Sequence, residues 1–90
     1  MYRIVIAPQA KEDLLRLQRS EPKAFAKAAR FIEELRVHPT TGTGHPEPLK
    51  GNRSGQWSRE ITKKHRMVYE VFETEIHVDV ISAYGHYGDK

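Results

Sequence analysis

The 90-residue chain is predicted to adopt an α+β fold, β-α-α-β-β-β, with two helices packed on one face of an antiparallel meander sheet. Three features predict it. A β-branched run opens the chain. Two consecutive segments then carry apolar residues at spacings of three and four. Beyond a stretch rich in glycine and proline, apolar and polar residues alternate in three runs separated by short polar turns.

Tyr2 to Ile6 reads as the first strand, ended by Ala7-Pro8. Pro8 suits a first helical turn, where its missing N–H costs nothing. Ala10, Leu14 and Leu17, with Leu15 beside them, form the stripe of a first helix. Ser20-Glu21-Pro22 breaks the helix and starts another, with Ser20 or Glu21 near the N-cap. Phe25, Ala28, Ala29, Ile32 and Leu35 form a second stripe, which His38-Pro39 ends because the residue before a proline resists the helical region. So short a break implies an antiparallel helical hairpin. From His38 to Gln56, four glycines and three prolines interrupt any periodicity, and a loop of that length is expected to be functional. Trp57, Arg59 and Ile61 then alternate with Ser58, Glu60 and Thr62; residues 66–72 form a further strand; Ile76, Val78 and Val80 alternate with His77 and Asp79 in the last. A single domain spanning residues 1–90 is expected. Its site should lie on the sheet face away from the helices, with the long loop and the C-terminal residues.

The chain has no cysteine, which excludes disulfides and thiolate metal sites and suits a reducing cytoplasm. The apolar run at Ile4-Val5-Ile6 is too short for a signal-peptide core or a membrane span. Charged residues are 30% and hydrophobic residues 38% of the chain, values of a globular domain rather than a disordered one. The net charge of +3 is unevenly spread. Lys50, Arg53, Arg59, Lys63, Lys64 and Arg66 against Glu60 give residues 50–66 a net +5, while residues 67–90 carry a net −4. Such a cluster attracts a polyanion, since each neutralised phosphate releases counterions. A solvated surface hairpin has the same composition.

Glu47 lies between two prolines, which stiffen its backbone and could hold a carboxylate ready as a general base; a solvated loop glutamate is the plainer reading. Arg66 opens an apolar strand, where a guanidinium is rigidly placed to grip phosphate oxygens, or to pair with Glu60 or Glu70. His86 and Tyr87 follow the last strand between glycines; they offer a proton donor near neutral pH and a ring that stacks on a base, or else a frayed terminus. The remaining histidines lack metal-ligand spacing, and Gly42-Thr43-Gly44 lacks the context of a phosphate loop. Glutamate, histidine and arginine suit the cleavage of RNA by its own 2′-hydroxyl: a base for the 2′-OH proton, an acid for the leaving 5′-oxygen, and a cation for the charge on phosphorus, with no metal or other cofactor.

The ordered runs Pro46-Glu47-Pro48-Leu49-Lys50, Ser54-Gly55-Gln56-Trp57-Ser58-Arg59, Ile61-Thr62, His65-Arg66-Met67-Val68-Tyr69 and His86-Tyr87 resemble the Txe/YoeB toxins of the RelE-like superfamily. The resemblance implies an endoribonuclease that cuts messenger RNA in the decoding site of the bacterial ribosome and so inhibits translation. It implies Glu47 as general base, His86 as general acid, Arg66 as phosphate stabiliser and Tyr87 as an aligning group. Lys50, Arg53, Arg59, Lys63 and Lys64 would face messenger or ribosomal RNA. A YefM-type antitoxin would cover the site, and a homodimer is a common assembly in the family. Two departures stand out: Tyr84-Gly85 occupy positions where many relatives carry a basic residue, and Glu60 replaces a residue that is basic in some. Two other readings share the fold or the charge: a toxin that binds a protein target such as DNA gyrase, and an RNA-binding module without catalysis.

Overall fold

In the computed structural model, which describes residues 1–85, the chain runs β1 (Arg3–Ile6), α1 (Pro8–Ser20), α2 (Pro22–Leu35), β2 (Glu47–Pro48), one turn of 3-10 helix (Gly51–Arg53), β3 (Gln56–Glu60), β4 (Arg66–Phe72) and β5 (His77–Ser82). Both helices begin on a proline in their first turn. A single residue, Glu21, separates them; its non-helical backbone turns the chain while its N–H still donates to Leu17 O and its carbonyl accepts from Phe25 N. Among the described residues no helix is long and apolar enough to cross a membrane.

The expected three-strand antiparallel meander is present as β3-β4-β5. Two strands extend it. β1 pairs with β5 in parallel, and the two-residue β2 pairs antiparallel with β3, giving a five-stranded sheet in the order β1-β5-β4-β3-β2. The long stretch read as a loop therefore contains a strand and a helical turn. Ile76, read as the start of the last strand, has a left-handed φ of 54° and is exposed in the turn before it.

The core lies between the helices and one sheet face: Ala10 and Leu17 of α1, Ala24, Ala28, Phe31 and Leu35 of α2, and Ile61, Met67, Tyr69, Val78 and Val80 from the sheet region. Each large side chain so buried contributes roughly 1.5–3 kcal/mol. Phe31 rather than Phe25 is the deepest ring of α2: the buried stripe is Ala24, Ala28, Phe31 and Leu35, and Phe25 and Ile32 are only partly buried beside it. Gly44, at φ +82°, passes so close to Phe31 that a Cβ would lie 2.5 Å from Cζ. Only glycine permits both that backbone and that approach.

Candidate active site

The sheet face opposite the helices is set by register. Directly opposed residues share a face, and successive residues alternate. Glu47 opposes Ser58, which opposes Val68, which opposes Ser82; two residues along β3, Glu60 opposes Arg66. Glu47 and Arg66 therefore lie on the same face, on strands flanking β3. At ordinary strand spacing and rise their backbones are about 12 Å apart, a gap into which both long side chains can reach. Between them the floor is Ser58 and Val68, both buried. The Ser58 hydroxyl has no hydrogen-bond partner among the described residues.

Glu47 is exposed on β2. It follows His45, held at a left-handed φ of 52°, and Pro46. Such a backbone costs of order 1–3 kcal/mol and persists only where its surroundings enforce it. Here the enforcement begins with the Gly44 carbonyl, which accepts from Glu60 N at 2.7 Å. Arg66 is mostly covered, with Nη2 4.0 Å from Glu60 Oε1, so the ion pair that the sequence allowed is present at long range. Its backbone N–H donates to the Gly85 carbonyl at 2.9 Å.

That contact belongs to a series that secures the chain after β5 residue by residue. Buried Asp13 of α1 accepts from Ala83 N at 2.9 Å through Oδ2 and from Gln9 Nε2 at 2.8 Å through Oδ1. The Tyr84 ring lies under the Arg16 guanidinium at 4.6 Å and beside the His65 ring at 4.2 Å. Gly85 N donates to His65 Nδ1 at 2.9 Å, and His65 Nε2 meets Glu21 Oε2 at 2.8 Å. His86 and Tyr87, named from the sequence as acid and aligning group, lie outside the described residues.

Arg59 corrects the expectation that it faces RNA. It is fully buried on the helix side of β3. Its guanidinium is ion-paired to Glu34 and donates to the carbonyls of His38 at 2.5 Å, Thr41 at 2.7 Å and Thr43 at 3.3 Å, while Nε donates to the Tyr69 hydroxyl at 3.1 Å. The Tyr69 hydroxyl in turn donates to the Pro39 carbonyl at 2.8 Å. One side chain thus gathers the backbone of residues 38–43, the segment that delivers Glu47 to the sheet edge. Strand alternation explains the placement: Arg59 opposes Met67 on the core face, so its charge must be paired inside. Burial pushes the Glu34 carboxyl up, but the Thr43 N–H, Arg59 and the Thr43 hydroxyl outweigh it and hold it below the usual range. Burial raises the Tyr69 phenol, against the pull of Arg59, so it stays a neutral donor.

The other basic residues sit nearer to solvent. Lys50 is exposed just after β2, Arg53 donates to Gln56 Oε1 at 3.1 Å, and Lys63 and Lys64 project from the β3–β4 turn, Lys64 3.6 Å from Glu21. Among the described residues no group of three His, Cys, Asp or Glu is placed to hold a metal ion. Sequence reasoning gave no role to Asp13 and Glu34, read Glu21 only as a helix-cap candidate, which it is, and quoted His65 only within a resembling run. Asp13 was detectable, since it stands between Ala10 and Leu17 on the buried stripe, where a carboxylate needs a partner. The others are joined only by tertiary contacts.

The family model described as "YoeB-like toxin of bacterial type II toxin-antitoxin system" matches residues 6–87. Toxin YoeB of Mycobacterium bovis is 40% identical over 80 residues, 89% of this chain and 92% of its own. The structure of the YoeB/ParE toxin from Agrobacterium tumefaciens superposes with a TM-score of 0.87 at 35% identity, covering 94% of this chain and 99% of that one. The YoeB-YefM complex from Staphylococcus aureus superposes with a TM-score of 0.81 at 33% identity, covering 97% and 99%.

Proposed function

The chain belongs to the YoeB-like toxins of bacterial type II toxin–antitoxin systems, and on that footing we propose that it is a metal-independent endoribonuclease that cuts messenger RNA in the decoding site of the ribosome. The observation that carries the reading is the sharing of one sheet face by Glu47 and Arg66, with the chain leading to His86 tied to the backbone of Arg66. Glu47 takes the proton of a 2′-hydroxyl. The freed oxygen attacks the adjacent phosphorus and leaves a 2′,3′-cyclic phosphate. His86 gives a proton to the departing 5′-oxygen, and Tyr87 aligns the nucleotide. Arg66 stabilises the charge on the non-bridging oxygens, relinquishing its long contact with Glu60 to do so. General acid–base help supplies about 10² to 10⁴ in rate; charge stabilisation and in-line alignment supply the rest.

Alignment is the part a small chain performs poorly alone. Glu47 stands exposed at the sheet edge, so the ribosome holds the message in register, with Lys50, Arg53, Lys63 and Lys64 facing RNA. A YefM-type antitoxin silences the site, as the Staphylococcus aureus complex suggests by likeness. Mass spectrometry of messages cut on ribosomes tests the chemistry. A 2′,3′-cyclic phosphate end, formed without added divalent metal beyond what the ribosome needs, is expected. A 3′-hydroxyl end, or no cutting, contradicts it; the gyrase-binding and binding-only readings both predict no new ends.

A further inference from the structure

We infer that His65 is a positioning residue for cleavage, its imidazole setting where the chain departs from the sheet toward His86 and Tyr87. The inference rests on the function proposed above. His65 is 3% exposed, yet both its ring nitrogens are engaged. The Gly85 amide can only donate, so Nδ1, 2.9 Å away, must present its lone pair. The ring proton is then on Nε2, aimed at the Glu21 carboxylate at 2.8 Å, which can only accept. The two partners together select one neutral tautomer and one ring orientation. Glu21 is well anchored for this task, since it is the single residue between α1 and α2. Its carboxyl is lowered from the usual range chiefly by the hydrogen bond to His65.

The consequence falls on Gly85. Its N–H is held by the His65 side chain and its carbonyl by the Arg66 backbone, so one dipeptide grips both sides of the last residue before His86. Gly85 also has φ +76°, a left-handed turn that glycine takes without cost. His65 need not touch RNA. It acts through Gly85, fixing that residue against the backbone of the proposed phosphate-binding arginine.

Two substitutions separate this role from simple packing. In His65→Asn the amide oxygen falls near Nδ1, keeping the acceptor for Gly85 and losing Glu21. In His65→Gln the terminal amide falls near Nε2, keeping a donor for Glu21 and losing the Gly85 acceptor. Single-turnover cleavage on saturating ribosome–message complexes is measured beside ribosome affinity and melting temperature. Misplacement of a reacting group by about 1 Å costs on the order of 10²-fold. His65→Gln should show a loss of that size with ribosome affinity unchanged, while His65→Asn keeps most of the wild-type rate. Equal losses in the two variants, or wild-type cleavage by His65→Gln, would overturn the positioning role. Should either variant fail to fold, the ¹⁵N spectrum of the wild-type imidazole decides: a proton on Nε2 is expected, and a proton on Nδ1 overturns it. Absence of cutting by the wild-type chain is a separate result, which sinks the nuclease reading and this role with it.

Discussion

The backbone N–H of Arg66 donates to the carbonyl of Gly85 at 2.9 Å, so the first residue of β4 and the last residue before His86 are neighbours although 19 positions apart in sequence. A side chain suited to bind phosphate and a chain leading to a proton donor thus start from one point on the sheet. Glu47 faces the same space from the far side of β3. That arrangement yields several measurable outcomes.

Arg66 should not tolerate lysine. A lysine keeps the charge but loses the planar fork that holds two phosphate oxygens. Arg66→Lys and Arg66→Ala are both expected to lose about 10²- to 10³-fold in cleavage rate, with Lys the milder. Single-turnover rates on ribosome-bound message measure this; a wild-type rate in Arg66→Lys would reduce the residue to a point charge.

Arg59 should govern stability rather than RNA contact. Arg59→Met leaves Glu34, the Tyr69 hydroxyl and three carbonyls without their donor, and breaking a buried pair costs about 3–5 kcal/mol. Domains in general have only about 5–15 kcal/mol in hand, so urea denaturation should show a large loss of midpoint. Lys50→Ala, at an exposed position, should shift stability by less than about 0.5 kcal/mol while weakening RNA binding.

Acid should destabilise the fold through Glu21 and Glu34. Both carboxyls are lowered from the usual value of 4.5. The unfolded chain therefore takes up protons first, and the stabilisation present above that value is lost as pH falls through the lowered folded values. Melting temperature should fall as pH drops from the usual carboxylate value through the lowered folded values; Glu21→Gln should flatten part of that fall.

Asp13 should control the end of β5. Asp13→Ala strands the buried Ala83 N–H, at a cost of about 1–3 kcal/mol. Asp13→Asn keeps an oxygen acceptor and should cost less. Hydrogen exchange at the Ala83 amide should accelerate in Asp13→Ala before the core strands do; uniform acceleration would instead indicate global unfolding.

How much of this was legible follows from the range of each interaction. Pro8 and Pro22 mark helix starts, and the alternation in β3 and β4 marks the meander, because these signals are local. Parallel pairing of β1 with β5 joins residues more than 70 positions apart, and nothing in Arg3–Ile6 names its partner. The two-residue β2 is too short to have a period. Arg59 misled because a charge reads as surface until strand alternation is applied strictly: it shares a face with Trp57 and Ile61, both packed in or against the core. Of the proposed site, Glu47 and Arg66 were found by residue type and setting, whereas His65, quoted only within the run His65-Arg66-Met67-Val68-Tyr69, was given no role, since that role depends on Glu21 and Gly85 arriving from distant parts of the chain.

The most direct test of the central claim is primer extension on a message bound to bacterial ribosomes, with the wild-type chain beside Glu47→Ala and His86→Ala. New ends at the decoding site with the wild type, lost in both variants, are the predicted result. Ends that persist at the wild-type rate in both variants would contradict the assigned base and acid, and no ends with the wild type would contradict the nuclease function itself.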